Sequence, residues 1–555
     1  MLGIQKDSAQ LPTLCHPGVR VLALATALIA FAVLAFQNSE ISPGSLPSVL
    51  LPSIENGSIP SPFAMEKPAD PGRNSSVPGS VSPPLEHRKV NASSESEIVR
   101  GSDNSSHIVE ATKRKTTNQT TATAEEMEAS SCEVGMIPAV SRKTRTDPLS
   151  IPEMNQILSD NRRSSCSMVP RWSSKTDLQI LRARREIENA PIVEKDPELY
   201  APAFRNISMF KRSYELMEKT LKVYVYKEGE KPIFHSPQLT GIYSSEGWFM
   251  KNMEGSTRFR VEDPTKAHLF YIPFSSKILR EKLFFPGSHR KYIIQYLKDY
   301  VATIAGKYPF WNRTGGADHF FAACHDWAPA ETQEVMGKTI RALCNANLAR
   351  MYELGKDVTL PEANVHDSKN PMQGSGGRSA GERPVLAFFA GKMHGHLRPL
   401  LLQQWRNRDN DIKVFGPLGR GARKQNATMS YAEYMRSSRY CICPRGYEVH
   451  SPRVVEAIFY QCVPAIISDN FVPPLFEVLN WEAFSVVVAE KDVPRLKEIL
   501  LSIPEKKYLA LQAGVRGVRR HFLWHNMPER YDAFHMTLHS VWFNRVFQFK
   551  PRLLQ

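Results

Sequence analysis

From Leu221 onward the chain alternates short, almost wholly apolar runs with longer stretches in which apolar residues recur every three or four positions. LKVYVY (221–226), AHLFYIPF (267–274) and DHFFAAC (318–324) read as buried strands, and HRKYIIQYLKDYVATIA (289–305) as an amphipathic helix between two of them. Strands and helices that alternate in this way build a parallel sheet with crossover connections. Residues 364–384, NVHDSKNPMQGSGGRSAGERP, interrupt the pattern with Gly, Ser and charge, and predict a linker. The alternation restarts with the strand PVLAFFAG (384–391), the helix HLRPLLLQQW (396–405) and the block RYCICPRGYEVHSPRVVEAIFYQCVPAIISDNFVPP (439–474). That block reads as strand, tight Pro-Arg-Gly turn, short helix, strand and Pro-rich stop, a βαβ unit. Ligands of open parallel sheets bind beyond the carboxyl ends of the strands, where this block gathers Arg445, His450, Ser451, Arg453 and Glu456. The helical stretches LKEILLSI, YLALQAGVRGVRRHF and RYDAFHMTLHSVWF finish the second unit and are free to pack back on the first.

Upstream the picture changes. Helical spacing appears between Lys175 and Met217, but Gln37 to about Val169 is Ser, Pro, Asn, Thr and charge without sustained periodicity. Such a stretch buries too little apolar surface to offset its ordering entropy, which predicts a disordered, glycosylated stem. Val21 to Phe36 is apolar except for Thr26 and covers roughly 24 Å as a helix, against a hydrocarbon core of ~30 Å. Arg20 can snorkel and early-secretory membranes are thinner, so the run predicts a signal anchor. Lys6, His16 and Arg20 precede it and no Lys or Arg follows before Lys67, which leaves the short tail cytosolic and the remainder lumenal. A cleaved signal peptide is the competing reading, with Ala30, Ala32 and Ala35 as small residues near its end. N-x-S/T sequons at Asn56, Asn74, Asn91, Asn104, Asn118, Asn206, Asn312 and Asn426 agree with the lumenal placement.

A length of 555 residues exceeds one ordinary core and suggests two domains with accessory segments. The formal net charge of +15 would point a cytosolic protein toward nucleic acid. The topology argues against that partner, and no nucleic-acid motif accompanies the charge. The chain's 8 cysteines give no metal framework. Cys441 and Cys443 alternate on a strand and read as buried apolar residues, while Cys324 and Cys344 are one option for a disulfide in an oxidising lumen.

The pattern C-x-C-P-x-G-x-x-x-x-S-P-R-x-x-E-A followed by C-V-P-x-I-I-S-D-N resembles the exostosin-like glycosyltransferases of plants, glycosyltransferase family 47. KVYVYKEG, YSSEGWFM, AHLFYIPF, WNRTGGADHFFAACHDW and LAFFAGKMHGHLRPLLL extend the resemblance from about Leu221 to the C-terminus. It implies two Rossmann-like domains facing a cleft, the GT-B architecture, in a single-pass type II Golgi membrane protein with its catalytic part lumenal. The implied activity is transfer of a sugar from a nucleotide-sugar, in particular a UDP-sugar, to a polysaccharide or glycoprotein glycan. Inversion and a place in cell-wall biosynthesis are part of that implication, with other glycosyltransferases as potential complex partners. The expected organisation is a cytosolic tail at 1–20, the anchor at 21–36 and the stem at 37–174. An acceptor-side domain at 175–363, the linker at 364–384, a nucleotide-sugar domain at 385–500 and C-terminal helices at 501–555 follow. A non-catalytic glycan-binding or scaffold subunit of a glycosyltransferase complex is the alternative from another class.

Sugar transfer requires that the leaving diphosphate be stabilised, the nucleoside gripped and the acceptor hydroxyl deprotonated. Arg398 follows the strand LAFFAG and the turn GKMHG, falls in the first turn of the next helix, and is the first candidate for the diphosphate. Arg445 and Arg453 are further phosphate candidates, with Glu448 or Glu456 as possible ion-pair partners instead. Ser451 suits a helix cap, with Pro452 in the first turn. Glu456 offers a carboxylate to ribose or sugar hydroxyls unless it pairs with Arg453. His450 is a donor to phosphate or sugar, and Asp469 ends the following strand toward the same cleft. Gln461 departs from relatives that carry Gly before C-V-P. General-base candidates come from the other unit: Asp318, His319, His325 and Asp326, of which the last two follow the strand's carboxyl end. No D-x-D-like pair stands in a strand-end loop, so no cofactor beyond the nucleotide-sugar co-substrate, and no metal, is expected to be required.

Overall fold

The first apolar series forms β1 (Val223–Val225), β2 (Arg260–Val261), β3 (Leu269–Tyr271), β4 (His319–Ala323), β5 (Ile340–Leu343) and β6 (Val358–Thr359). These pair in parallel in the order β2-β1-β3-β4-β5-β6. The second series forms β7 (Val385–Ala390), β8 (Ile412–Phe415), β9 (Ser438–Pro444), β10 (Val463–Ile467) and β11 (Val486–Val487), again all parallel, in the order β11-β10-β9-β7-β8. Strands β3, β4, β5, β7 and β10 are buried at every position, as near-continuous apolar runs demand when helices cover both faces of a sheet. The architecture is α/β with two Rossmann-like parallel sheets. In the second sheet the strand order reverses between β7 and β9, so the loops leaving these two strands diverge around a crevice.

The computed structural model describes residues 148–550 apart from 165–168, 372–373, 375 and 419–426, all within one compact unit, Thr123–Gln555. The expected tail, the anchor at 21–36, the stem up to residue 147 and the sequons at Asn56, Asn74, Asn91, Asn104, Asn118 and Asn426 lie outside the described residues. Among the described residues no helix is long and apolar enough to cross a membrane.

The stem boundary at residue 174 needs correction. A helix over Ile151–Ser164 buries Ile151, Met154 and Leu158, which share one face at i, i+3 and i+7. Leu149 donates its backbone N–H to Asn470 Oδ1 at 3.3 Å, and Arg162 donates to the Glu477 carbonyl at 3.3 Å, so this helix belongs to the folded part. A polar average hid three well-spaced apolar residues. At the other end, the helix Ala533–Gln548 returns to the first sheet, where Asn544 donates to the Lys356 carbonyl at 3.1 Å and Arg545 to the His268 carbonyl at 3.3 Å.

Among the described residues two disulfides tie neighbouring parallel strands. Cys324–Cys344 joins the ends of β4 and β5, and Cys441–Cys462 joins β9 to the start of β10. The reading of Cys441 as an apolar filler is thereby overturned. Its partner lies 21 residues away in sequence and is brought alongside only by strand pairing. Cys443 is a buried free thiol.

Candidate functional site

A cavity of about 610 Å³ collects loops from both sheets. Asp326, after β4, and Glu362 and Asn364, after β6, line one part of it. Lys392, His394 and Arg398, after β7, and Tyr447, His450, Arg453 and Glu456, after β9, line the rest. The crossing at the β7–β9 reversal explains why residues about fifty positions apart in the chain share one wall.

Arg398 is the second residue of the helix Leu397–Trp405 and is 6% exposed. Its guanidinium donates to the carbonyls of Arg445 (3.1 Å), Lys392 (3.3 Å) and Pro444 (3.3 Å). Burial, and then the neighbouring Arg453 charge, depress its pKa to about 10, so it stays cationic at neutral pH. Arg453 opens the helix Arg453–Phe459 and donates to the Ala390 carbonyl at 3.1 and 2.9 Å. A Cβ on Gly391 would stand 2.1 Å from that guanidinium, so the strand end passes close over it only because residue 391 is Gly. Neither arginine has a carboxylate within ion-pair distance among the described residues. Two positive charges are thus anchored by backbone dipoles rather than by a direct ion pair.

Glu456 does not pair with Arg453. Its carboxylate accepts from the Tyr431 hydroxyl at 2.6 Å and from Asn364 at 3.5 Å, which fixes its orientation at the cavity wall. Opposite in charge to the arginines is a second group. His450, 7% exposed, places Nε2 3.4 Å from Asp326 Oδ1 and 3.7 Å from Glu362 Oε1. Asp326 also accepts from the Tyr243 hydroxyl at 2.9 Å. Burial pushes the Asp326 carboxyl up, but the hydrogen bond and charge of His450, with Tyr243, outweigh it and hold the group below its usual value. Glu362 has no such support. Its Oε2 is buried without a hydrogen-bond partner, and burial raises its pKa to about 7, with His450 opposing and Asp326 and Glu456 adding to the rise. His450 is raised: burial lowers it, and the charges of Glu362 and Asp326 more than reverse that. Two carboxylates whose environments separate their proton affinities are suited to different roles.

Several sequence-based candidates lie elsewhere. Asp318 and His319 are 1% and 0% exposed. Asp318 binds Arg313 at 3.3 Å and Thr314 at 2.6 Å, and His319 joins Asp318 Oδ1 at 2.8 Å and the Tyr226 hydroxyl at 2.8 Å, so both are sealed in the first sheet's core and reach no substrate. His325 does not line the cavity; its Nδ1 accepts from the Trp327 backbone N–H at 3.2 Å, and burial depresses its pKa to about 4. Arg445 turns away to Glu490 at 3.3 Å. Asp469 exchanges hydrogen bonds with the same Glu490, at 2.9 and 3.1 Å, and lines a different cavity. Ser451 caps nothing: its Oγ is buried without a partner, and Pro452 occupies the cap position. The pairing that neutralises Arg445 comes from a residue 45 positions downstream, beyond any local pattern.

Gln461 lies outside the cavity. It has φ +53° at the end of the helix Arg453–Phe459, where Cys462 N–H bonds the Ala457 carbonyl and Gln461 N–H the Ile458 carbonyl. This is a Schellman ending, whose left-handed position favours Gly for want of a Cβ clash.

Sequence reasoning missed Glu362, Tyr243, Tyr431 and Asn364. Strand β6 has only two residues, and Asn364 fell in the expected linker, so neither carried a strand-end signal. The signal that existed was a carboxylate three residues beyond the apolar-Thr pair Val358–Thr359.

Residues 217–503 match the Exostosin GT47 domain. Two probable glycosyltransferases of Arabidopsis thaliana are 44% and 41% identical, covering 70% and 75% of this chain and 76% and 87% of theirs. The probable beta-1,4-xylosyltransferase IRX10 of the same plant is 29% identical over 58% of this chain and 81% of its own. Among solved structures, that of TarM aligns with 44% of this chain and 57% of its own at 7% identity and a TM-score of 0.23, too slight a likeness to bear on fold or function. With the domain match spanning more than half of the sequence, the chain belongs to the plant exostosin-like GT47 family of glycosyltransferases.

Proposed function

We propose that this glycosyltransferase moves a sugar from a nucleoside diphosphate sugar, in particular a UDP-sugar, to a hydroxyl of a polysaccharide or glycoprotein glycan in cell-wall biosynthesis. The carrying observation is the cavity in which Arg398 and Arg453, free of carboxylate partners, open onto the same space as Glu362, a buried carboxyl poised near neutral pH. The two guanidiniums take up the charge of the departing diphosphate. Glu456, held by Tyr431, accepts hydrogen bonds from ribose hydroxyls.

Glu362 receives the acceptor's proton. As that O–H bond breaks, the acceptor oxygen bonds to the anomeric carbon while the carbon–phosphate oxygen bond opens on the opposite face, and UDP leaves with the electron pair. One base and one displacement invert the anomeric centre. Arginine charge in place of a cation supports a metal-independent reaction. The two sheets then serve as acceptor-side and donor-side halves of a GT-B enzyme.

Two disulfides, and the exposed sequon asparagines Asn206 and Asn312, support a Golgi-lumenal location behind a type II anchor. The names of the xylosyltransferase and glucuronosyltransferase relatives make UDP-xylose and UDP-glucuronate the first donors to try. The test is UDP-dependent thermal stabilisation together with transfer from a UDP-sugar panel to wall oligosaccharides. Stabilisation lost in Arg398→Ala and Glu456→Gln supports the reading. A protein that neither binds UDP nor transfers sugar refutes it.

A further inference from the structure

Tyr447, in the cavity lining, is a large ring left 69% exposed. Its ring stacks on His394, with centroids 4.9 Å apart and planes at 21°, and both residues line the cavity. We propose that the stacked His394 and Tyr447 rings form an acceptor subsite that seats the face of a pyranose ring of the incoming glycan.

The shelf is built rigidly. His394 precedes Gly395, whose φ of +70° brings the turn so close to the next loop that a Cβ there would stand 2.1 Å from the Gly446 carbonyl oxygen. Gly446 in turn covers Arg398, which also donates to the Arg445 carbonyl at 3.1 Å. The two loops that carry the rings are therefore locked to each other and to the arginine proposed to hold the diphosphate. Burial and the nearby Arg398, Lys392 and Arg453 charges depress the His394 pKa, so the ring is neutral and presents an aromatic face.

Position selects the occupant. Tyr447 stands three residues before His450, which contacts Asp326 and Glu362, so one loop carries both the shelf and a partner of the proton-accepting carboxylates into the same cavity. Elsewhere in the lining, Pro417, Leu418 and Tyr431 with Glu456 supply an apolar wall and a carboxylate suited to the nucleoside. The axial C–H groups of a pyranose are attracted to the negative face of an aromatic ring, and exposed aromatics beside a cleft supply that contact at little entropic cost.

The inference rests on the transfer reading above, and the experiment separates the two. The full-length chain is titrated calorimetrically with UDP, and the UDP-saturated protein then with xylohexaose, cellohexaose and galactohexaose. The expected result is binding of at least one hexaose, weakened about tenfold in Tyr447→Ala and retained in Tyr447→Trp, with UDP affinity unchanged in both. Three results overturn the subsite: a wild type that binds UDP but none of the hexaoses, a Tyr447→Ala variant that binds the hexaose as tightly, or one that loses UDP affinity instead, which makes the shelf a nucleobase site. A wild type that fails to bind UDP overturns the transfer reading itself, and the subsite with it.

Discussion

Replacing Glu362 with Gln should raise stability at alkaline pH while sharply slowing transfer. The carboxyl is 4% exposed, one oxygen has no hydrogen-bond partner, and burial raises its pKa from the ordinary 4.5 to about 7. Because the folded-state pKa is raised, the folded protein holds the proton more tightly than the unfolded chain. The group's contribution is therefore most favourable at low pH, and stability falls as pH rises from 4.5 through 7. Each pKa unit is worth about 1.4 kcal/mol, so wild type should lose about 2 kcal/mol from this group between pH 5.5 and 8. Gln cannot ionise and loses nothing there. His450, Asp326, Glu456 and Arg453, which face the carboxyl, remain in both proteins, and because the Glu362 charge helps to raise His450, the difference between variant and wild type reports the coupled Glu362–His450 pair. Urea unfolding of both proteins at pH 5.5 and 8 measures it: the variant should gain about 2 kcal/mol relative to wild type across that interval. Transfer should drop by about 10²–10⁴. A stability difference independent of pH would show that Glu362 is not a buried carboxyl titrating near neutrality, and the assignment as base would fall with it.

Arg453→Ala should weaken UDP binding by about one to two orders of magnitude, since a charge-assisted hydrogen bond to phosphate is worth about 1.5–3 kcal/mol; calorimetry with UDP reads the change, and wild-type affinity would count against the donor site. Transfer should survive excess EDTA, and rescue by added Mg²⁺ or Mn²⁺ after its loss would refute a metal-independent reaction. Asp318→Asn should cost about 3–5 kcal/mol by leaving the buried Arg313 short of a partner, with turnover per folded molecule unchanged; a thermal melt beside active-site-normalised rates separates the two effects. Gln461→Gly should relieve a left-handed backbone strain of about 1–2 kcal/mol, partly offset by unfolded-state entropy, and raise Tm by about 1–3 °C without altering activity.

Local pattern was enough for much of the fold. Runs such as LAFFA and FFAAC fix strands because a continuous apolar segment is stable only when both faces are covered, and the parallel order follows from helices between them. Arg398, Arg453 and Glu456 were legible because each lies between a strand's carboxyl end and the close of the next helix's first turn, and that placement is local. Asp326 was legible for the same reason, while its neighbours His319 and Asp318, at the other end of the same strand, face the core.

What the sequence by itself determined is the family, the two α/β units and the kinds of charge that gather beyond their strands. Only the tertiary structure decided which of those charges stay out of a direct ion pair. Glu490 reaches back to neutralise Arg445 and hold Asp469, whereas among the described residues no carboxylate comes within ion-pair distance of Arg398 or Arg453. Glu362 became a candidate base because folding buries it beside His450, 88 positions away along the chain. Proton affinity and electrostatic availability depend on desolvation and on neighbours contributed by distant segments. Residue identity and spacing therefore supply the chemical groups, and packing assigns them their roles.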